Sequence, residues 1–551
     1  MLAEQHLSPP ENPYDYQEWT NVISKIDVSE SASMTGQEFQ SCVELYSKFL
    51  ETFPWLYAYW TKYANLIYSG KSDLQAAKEI FNKALSKNVL YYSVEMWLEY
   101  IMFFQVRLPH TEQDQMRTIF CQALDSIGTH YHSGEIWSLA MNFESEHKRP
   151  YFHLLAKSIA QPTDKLDRFW SELQSMLPRI PVGQLISFDL SKSVTELTSQ
   201  AEQISQQPPR IMSPQEEQSI RAQYTTSITD VYNSSLAKLS KVNYFEININ
   251  RHFFHFNSPD DAQIGNWEAY SANLEKVFKQ THSKSDFDAV VQIYERALIP
   301  CAFIDSIWLH YASFLEDCAL MQEPRYATID DARNIYLRIP MAVMPSAKVV
   351  YGEFEEVYSP EKAVAVYTEL SGSYYAEQII AAAYYTKRTH PPDSNVAQQV
   401  LAAGRDRLLS VGDRDGASVV AAVLLDLSNE ASEGITGAAY TSKYARRIAE
   451  SSPQQANELL FNAIFPNDST PLEDRIPIED RVSLFPVYIE FNRKHGMPAN
   501  FQMSMELNYN KLKNKLTWHR NYFDQTYLIQ GQQPEQKAKM WADYQSNIND
   551  K

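Results

Sequence analysis

Apolar positions along the chain recur with the period of a helix, and one phrase built on that period keeps returning. Trp and Tyr three apart occur at Trp60/Tyr63, Trp97/Tyr100, Trp267/Tyr270 and Trp308/Tyr311, with a looser copy running from Trp137 through Phe143-Glu144. The tryptophans are 37 and 40 residues apart in the first set and 41 apart in the second. Between them sits a second phrase, "AAKEIFNKAL" (76–85), "DQMRTIFCQAL" (114–124), "DAVVQIYERAL" (288–298) and a weaker "DDARNIYLRI" (330–339). Residues three and four apart share a helix face. Each unit of about 40 residues therefore predicts two amphipathic helices joined by short turns, and Ser69-Gly70, Pro109, Pro300 and Pro324 punctuate the pattern where turns are needed.

One such hairpin cannot bury its apolar face alone, so successive units must stack into a solenoid. The fold class expected is all-α, an α-solenoid of helix pairs in two arrays. Trp60, Tyr63, Trp97, Tyr100, Trp137, Trp267, Tyr270, Trp308 and Tyr311 are read as core wedges. Ala84, Ala123 and Ala297 in the second helices are the small positions that make room for an indole.

The period breaks once. Residues 178–220 are rich in Ser, Gln and Pro and hold no Trp, which reads as a partly ordered insertion with a helix beginning near Pro214. The expected layout is a first array over 1–177, the insertion over 178–220, a second array over 221–500 and a helical segment over 501–551. After Pro360 the repeat loosens, although "EKAVAVYTEL" (361–370), "AEQIIAAAYYTKR" (376–388) and "PQQANELLFNAIF" (453–465) still look like paired helices.

Composition narrows the function. The chain has 551 residues, and 49 basic against 68 acidic side chains give a net charge of −19. Proteins that grip phosphate backbones cluster Lys and Arg to displace counterions, so RNA contact is expected to be weak or indirect. Cys42, Cys121, Cys301 and Cys318 are far apart with no C-x-x-C pair, which speaks against a zinc site or a disulfide framework. The longest apolar run, Ala417–Leu427, is 11 residues against roughly 20 for a bilayer span. No membrane association is expected, and Met-Leu-Ala-Glu-Gln-His lacks the basic start and apolar stretch of a secretory signal.

The phosphate-cradling, dinucleotide, nucleophile-elbow and zinc-protease motifs are missing, and no cofactor or metal is expected. His130/His132 and His252/His255 are the nearest His clusters, without a matching Cys or carboxylate set. Acid pairs such as Glu355-Glu356 and Asp330-Asp331 read as solvated helix faces or first-turn acids. One basic stretch stands out, with Lys511, Lys513, Lys515 and Arg520 around Trp518. It is either a solvated helix face or a contact for RNA or an acidic partner.

A helix pair with Trp-x-x-Tyr in the first helix and aromatic-x-x-Ala-Leu in the second resembles the half-a-tetratricopeptide (HAT) repeat of RNA-processing scaffolds. Within that group, Arg251, Phe253, Phe254 and His255 before a short turn, followed by Asn266-Trp267 and Tyr270, resemble a phrase of the pre-mRNA-processing factor 39 family. That resemblance implies a non-enzymatic nuclear scaffold of the U1 small nuclear ribonucleoprotein, which recognises the 5′ splice site. It implies U1 proteins and other splicing factors as partners, and a homodimer or heterodimer formed through the C-terminal array. A HAT scaffold of the 3′-end cleavage-stimulation complex, a direct reader of pre-mRNA, and an enzyme within 370–500 remain the rival readings.

Overall fold

A computed structural model describes residues 8–494 apart from 27, 29–32, 88, 110, 186–188, 207–211, 323, 429–430, 433–434 and 467–474, and describes Tyr509 and Lys513 beyond them. The described residues form helices and no strand, as the helical period requires. Two compact units divide between Thr328 and Ile329.

The first unit opens with α1 (Tyr16–Ile23), α2 (Gly36–Thr52), α3 (Tyr57–Lys71), α4 (Leu74–Ala84), α5 (Val94–Arg107), α6 (Gln113–Ile127), α7 (Gly134–Glu146), α8 (Phe152–Ile159) and α9 (Leu166–Met176). Consecutive helices pack in pairs, and α3 also meets α5 across the repeat. Helix starts carry the caps their sequences announce. Thr35 and Glu38 form a reciprocal capping box on α2, and Asp73 accepts two backbone N–H groups at the start of α4. The turn from α3 to α4 is tight because Ser72 takes a left-handed conformation (φ 52°) directly before that Asp73 cap.

The stretch 178–220 lies inside the first unit. It contains α10 (Val182–Leu185) and α11 (Val194–Ser205), and α11 packs on α6 and α8. Buried Val194, Leu197 and Ala201 form its apolar face. Polar groups fix its register: Asp125 accepts from the backbone N–H of Val194 and Thr195 at its start, and the Thr198 hydroxyl meets the His153 ring at 3.1 Å. The 34-residue helix α12 (Pro214–Ile247) then runs back along the first array, touching α8 and α10. Trp170 stacks on Tyr232 with ring centroids 4.5 Å apart, and Arg221 donates to the Leu177 carbonyl. Next come α13 (Asp261–Thr281), α14 (Lys284–Ala297) and α15 (Asp305–Leu320).

The second unit contains α16 (Ile329–Arg338), α17 (Pro345–Tyr358), α18 (Pro360–Ser371), α19 (Ala376–Thr389), α20 (Val396–Ser410), α21 (Arg414–Ser428), α22 (Ala438–Ile448), α23 (Pro453–Ile464) and α24 (Ile478–Lys494). Its helices again pack in sequence order. Pro sits in the first turn of α17, α18 and α23, where its missing N–H costs nothing.

Candidate partner-binding scaffold and its inter-array seam

The repeat signature residues all lie in the core. Trp60, Tyr63, Trp97, Tyr100, Trp137, Trp267, Tyr270, Trp308 and Tyr311 are buried, as are Ala84, Ala123 and Ala297. The indoles are tied as well as packed. Trp19 donates to the Pro13 carbonyl, Trp60 to Pro54, Trp97 to Tyr91 and Trp308 to Ala302, all six residues upstream at 2.8–2.9 Å. Trp137 reaches the Gly128 carbonyl at 3.0 Å. Each wedge thereby satisfies its polar tip and pins the loop that enters its own helix.

Contact between repeats is carried by the partner residue of the phrase. An aromatic on the second helix stacks on the Tyr of the next first helix: Phe81 on Tyr100 at 4.9 Å, Tyr294 on Tyr311 at 4.8 Å and Tyr336 on Tyr351 at 5.7 Å between centroids. Sequence reasoning marked the aromatics of the first two pairs without pairing them, and it did not single out Tyr351.

It missed the buried ion pairs. Arg117 on α6 forks onto Glu144 of α7 with both bonds at 2.6 Å, and Arg333 on α16 does the same to Glu355 of α17 at 2.6 and 3.1 Å. Arg stands three residues before the stacking aromatic in both second helices, at Arg117/Phe120 and Arg333/Tyr336. Glu directly follows a Phe of the first helix at Phe143-Glu144 and Phe354-Glu355. The recurrence of that Arg and Glu in two repeats was the available signal. It also corrects the expectation for Glu355, which is fully buried and paired rather than on a solvated face.

The 249–260 stretch forms a seam inside the first unit. Phe254 is buried against Trp55 and Phe303, with centroids 5.6 and 5.3 Å away, and Phe253 lies edge-on to Tyr57 at 6.2 Å. Phe256 adds a contact to Phe53 at 5.0 Å. The start of the second array is therefore clamped onto the α2–α3 corner of the first. Arg251 donates to the Asn257 carbonyl, and the His255 ring accepts the Asn257 N–H, so these two shape the loop itself. Asn266 donates to the Phe245 carbonyl at 3.0 Å and joins α13 to the end of α12.

That end of α12 serves as the second helix of a repeat. Phe245 stacks on Tyr270 at 4.9 Å, and buried Glu246 accepts both Arg296 guanidinium bonds, at 2.7 and 2.8 Å, and the Tyr270 hydroxyl at 2.8 Å. Burial alone would raise the Glu246 carboxyl, but Arg296 and these hydrogen bonds outweigh it and hold the group below its ordinary range.

The seam also gathers histidines from two distant stretches. The His132 and His252 rings meet edge to face at 4.5 Å, with His130 6.0 Å from His132, while His255 stays exposed on its loop. Burial, then the Arg296 charge, depresses His252 to about 3 and holds His130 well below the imidazole range. Among the described residues no group of His, Cys, Asp and Glu is disposed to hold a metal ion, and no helix is long and apolar enough to cross a membrane. The four cysteines are buried, and desolvation pushes the Cys121 thiol up to about 11 and those of Cys301 and Cys318 to about 12. Such thiols are inert packing groups. Lys511, Lys515, Trp518 and Arg520 lie outside the described residues, and Lys513 is exposed.

Tied tryptophans, stacked repeat tyrosines and successive helix pairs define a HAT-repeat solenoid, a class that presents extended surfaces to other macromolecules. Family models described as the PRP39 N-terminal HAT repeat and the PRP39 C-terminal HAT repeat match residues 8–175 and 240–388. The chain belongs to the PRP39 family. Pre-mRNA-processing factor 39 of Schizosaccharomyces pombe is 25% identical over 366 residues, 63% of this chain and 56% of that protein. The human protein of the same name is 25% identical over 379 residues, 63% and 51% of the two chains. The U1 small nuclear ribonucleoprotein component PRP42 of Saccharomyces cerevisiae is 22% identical, over 49% of this chain and 48% of that one. The chain spans about half the length of these curated relatives. A crystal structure of CstF-77 superposes with a TM-score of 0.43 at 10% identity, covering 90% of this chain and 89% of that one.

Proposed function

We propose that this chain is a non-enzymatic scaffold of the U1 small nuclear ribonucleoprotein, acting in the nucleus during 5′ splice-site recognition in pre-mRNA splicing. It bridges particle proteins and accessory splicing factors, and it pairs through its C-terminal array, residues 221–500, with a second copy or a related chain. The observation that carries this reading is the match of both arrays to PRP39 HAT models, and the similarity to a protein named as a U1 component supports it. The net charge of −19 favours protein partners over direct reading of RNA.

Affinity purification of the tagged chain from nuclear extract, with mass spectrometry of proteins and sequencing of RNA, tests the proposal. Recovery of U1 proteins with U1 RNA in comparable amounts is the expected result. Recovery of 3′-end cleavage factors in their place would move the chain to the rival complex. Tight, sequence-selective RNA binding by the purified chain alone would make it a direct reader.

A further inference from the structure

At the seam the side chains enclose a small, half-open cavity of about 90 Å³, lined among others by His130, His132, His252, Trp267 and Arg296. That volume has room for about three waters at roughly 30 Å³ each, or for a carboxylate with its methylene. The lining is rich in hydrogen-bonding atoms that nothing engages. Arg296 is 6% exposed and spends its two terminal nitrogens on Glu246, while its Nε, His132 Nε2 and His252 Nδ1 are buried without a partner among the described residues.

Trp267 supplies a further donor to the lining, one that is not among these buried atoms. The other repeat tryptophans, Trp60, Trp97, Trp137 and Trp308, give their indole N–H to a backbone carbonyl. Trp267 makes no such bond among the described residues and instead has the Arg296 guanidinium 5.7 Å from its ring. Two of the four atoms, the indole N–H and the Arg Nε–H, can only donate. Glu95, the carboxylate in the lining, accepts from the Ser93 hydroxyl. A donor-rich pocket is complementary to an acceptor.

We propose that this cavity is a carboxylate-binding site, occupied by an Asp or Glu side chain from an exposed segment of a protein partner. The charge environment agrees with the geometry. Burial comes first and the Arg296 charge second in disfavouring the protonated form of both His130 and His252; burial penalises a charge of either sign, so of the two causes only the Arg296 charge favours an anion. The seam would then read an acidic residue at the point where the two arrays are clamped together, a role independent of which particle the chain serves.

Acetate is the probe. In the full chain labelled with ¹⁵N at His and Trp, acetate added at constant ionic strength should shift the Trp267 indole and the His132 and His252 rings along one saturating curve. Acetamide, its neutral counterpart, should not. His252→Leu, which has no polar atom, should weaken acetate by about fivefold or more, the loss of one charge-assisted hydrogen bond, without unfolding the chain. Trp267→Phe should weaken it similarly if that variant folds. Shifts that rise linearly without saturating, an unchanged affinity in a folded His252→Leu variant, or equal binding of acetamide would overturn the proposal. Tighter binding of inorganic phosphate than of acetate would also overturn it, and would point to a phosphorylated or nucleic-acid ligand.

Discussion

Both units stack helix pairs in sequence order, yet they pack them with different side chains. In the first, tryptophans set the repeats, all but Trp267 of the repeat signature tied by the indole N–H, and an aromatic seam clamps the second array to the first. In the second unit, residues 329–494 contain no tryptophan. The position forty residues after Trp308 is Lys348, although Tyr351 and Phe354 still follow it as Tyr311 and Phe314 follow Trp308. Close approach replaces the wedge. A Cβ on Gly404 of α20 would lie 2.4 Å from Ile379 of α19, and Ile379, Ala383, Leu401, Leu408 and Val420 form the cluster around that contact. One architecture is therefore reached by wedging with large rings in one unit and by small-residue approach in the other.

The largest expected effect tests that contrast. Trp308→Ala should destabilise the first unit by roughly 3–5 kcal/mol, the cost of truncating a buried large aromatic. Lys348→Ala at the matching place should cost under about 1 kcal/mol, because the partly exposed Lys348 pairs with the exposed Glu369 at the surface. Chemical denaturation followed by circular dichroism separates the two. Equal losses would mean that the wedge position matters in both units and the distinction fails.

A shared device should behave alike in both. Arg333→Met leaves Glu355 buried and uncompensated in the second unit, and Arg117→Met does the same to Glu144 in the first. Each should cost roughly 3 kcal/mol. Changing both partners to apolar residues, Arg333→Met with Glu355→Leu, should recover most of the loss. If the double variant is no better than the single one, the pair is not the unit of stability at this position.

Acid should separate the units more gently. In the first, burial depresses His153 to about 3 and holds His130 well below its ordinary range. A depressed imidazole stays neutral in the fold while the unfolded chain takes up a proton. Stability is thus full above about pH 6.5 and falls as the pH drops toward the folded value, by roughly 1.4 kcal/mol per pH unit for each such group. In the second unit, burial raises Asp415 and Asp480. Their contribution has the opposite sign, since a raised carboxyl favours the fold below its unfolded value near pH 4 and loses that contribution as the pH rises. Hydrogen exchange by mass spectrometry at pH 7 and pH 5 should therefore show protection lost first in residues 1–328. Loss beginning in the second unit would contradict the histidine assignment.

The pattern of the chain made the first unit more legible than the second for a physical reason. A tryptophan at fixed spacing is a rare mark, so Trp60, Trp97, Trp267 and Trp308 announce their repeats. Ala382, Ala383 and Gly404 do equivalent packing with residues common in any helix. The seam was visible only as a resemblance, because Phe254 finds Trp55 and His252 finds His132 across long separations that no local period encodes. The partly ordered insertion expected over 178–220 hid its contacts for a similar reason. Its Ser, Gln and Pro content does not show that the polar groups of α11 are spent on Asp125 and His153 of other helices.

The smallest expected effect on stability is the one that decides assembly. The second unit leaves large apolar side chains exposed on consecutive helices: Val357 on α17, Val364 on α18 and Tyr384 on α19 are 71%, 53% and 40% exposed, and Tyr375 at the start of α19 is 48% exposed. Exposed apolar surface of this kind marks interaction sites when it is contiguous, and pairing through this array is part of the proposed function. Tyr375→Ser with Tyr384→Ser removes surface rings, so the unfolding free energy of the fold should change by no more than about 0.5 kcal/mol per site. Mass by light scattering should respond far more. The unaltered chain is expected at about twice 63.5 kDa and the double variant at the monomer mass. If the unaltered chain is already monomeric at micromolar concentration, self-pairing is excluded and a related chain is left as the partner. If the double variant stays dimeric, pairing uses other residues, and the exposed side chains of the second unit need a different occupant.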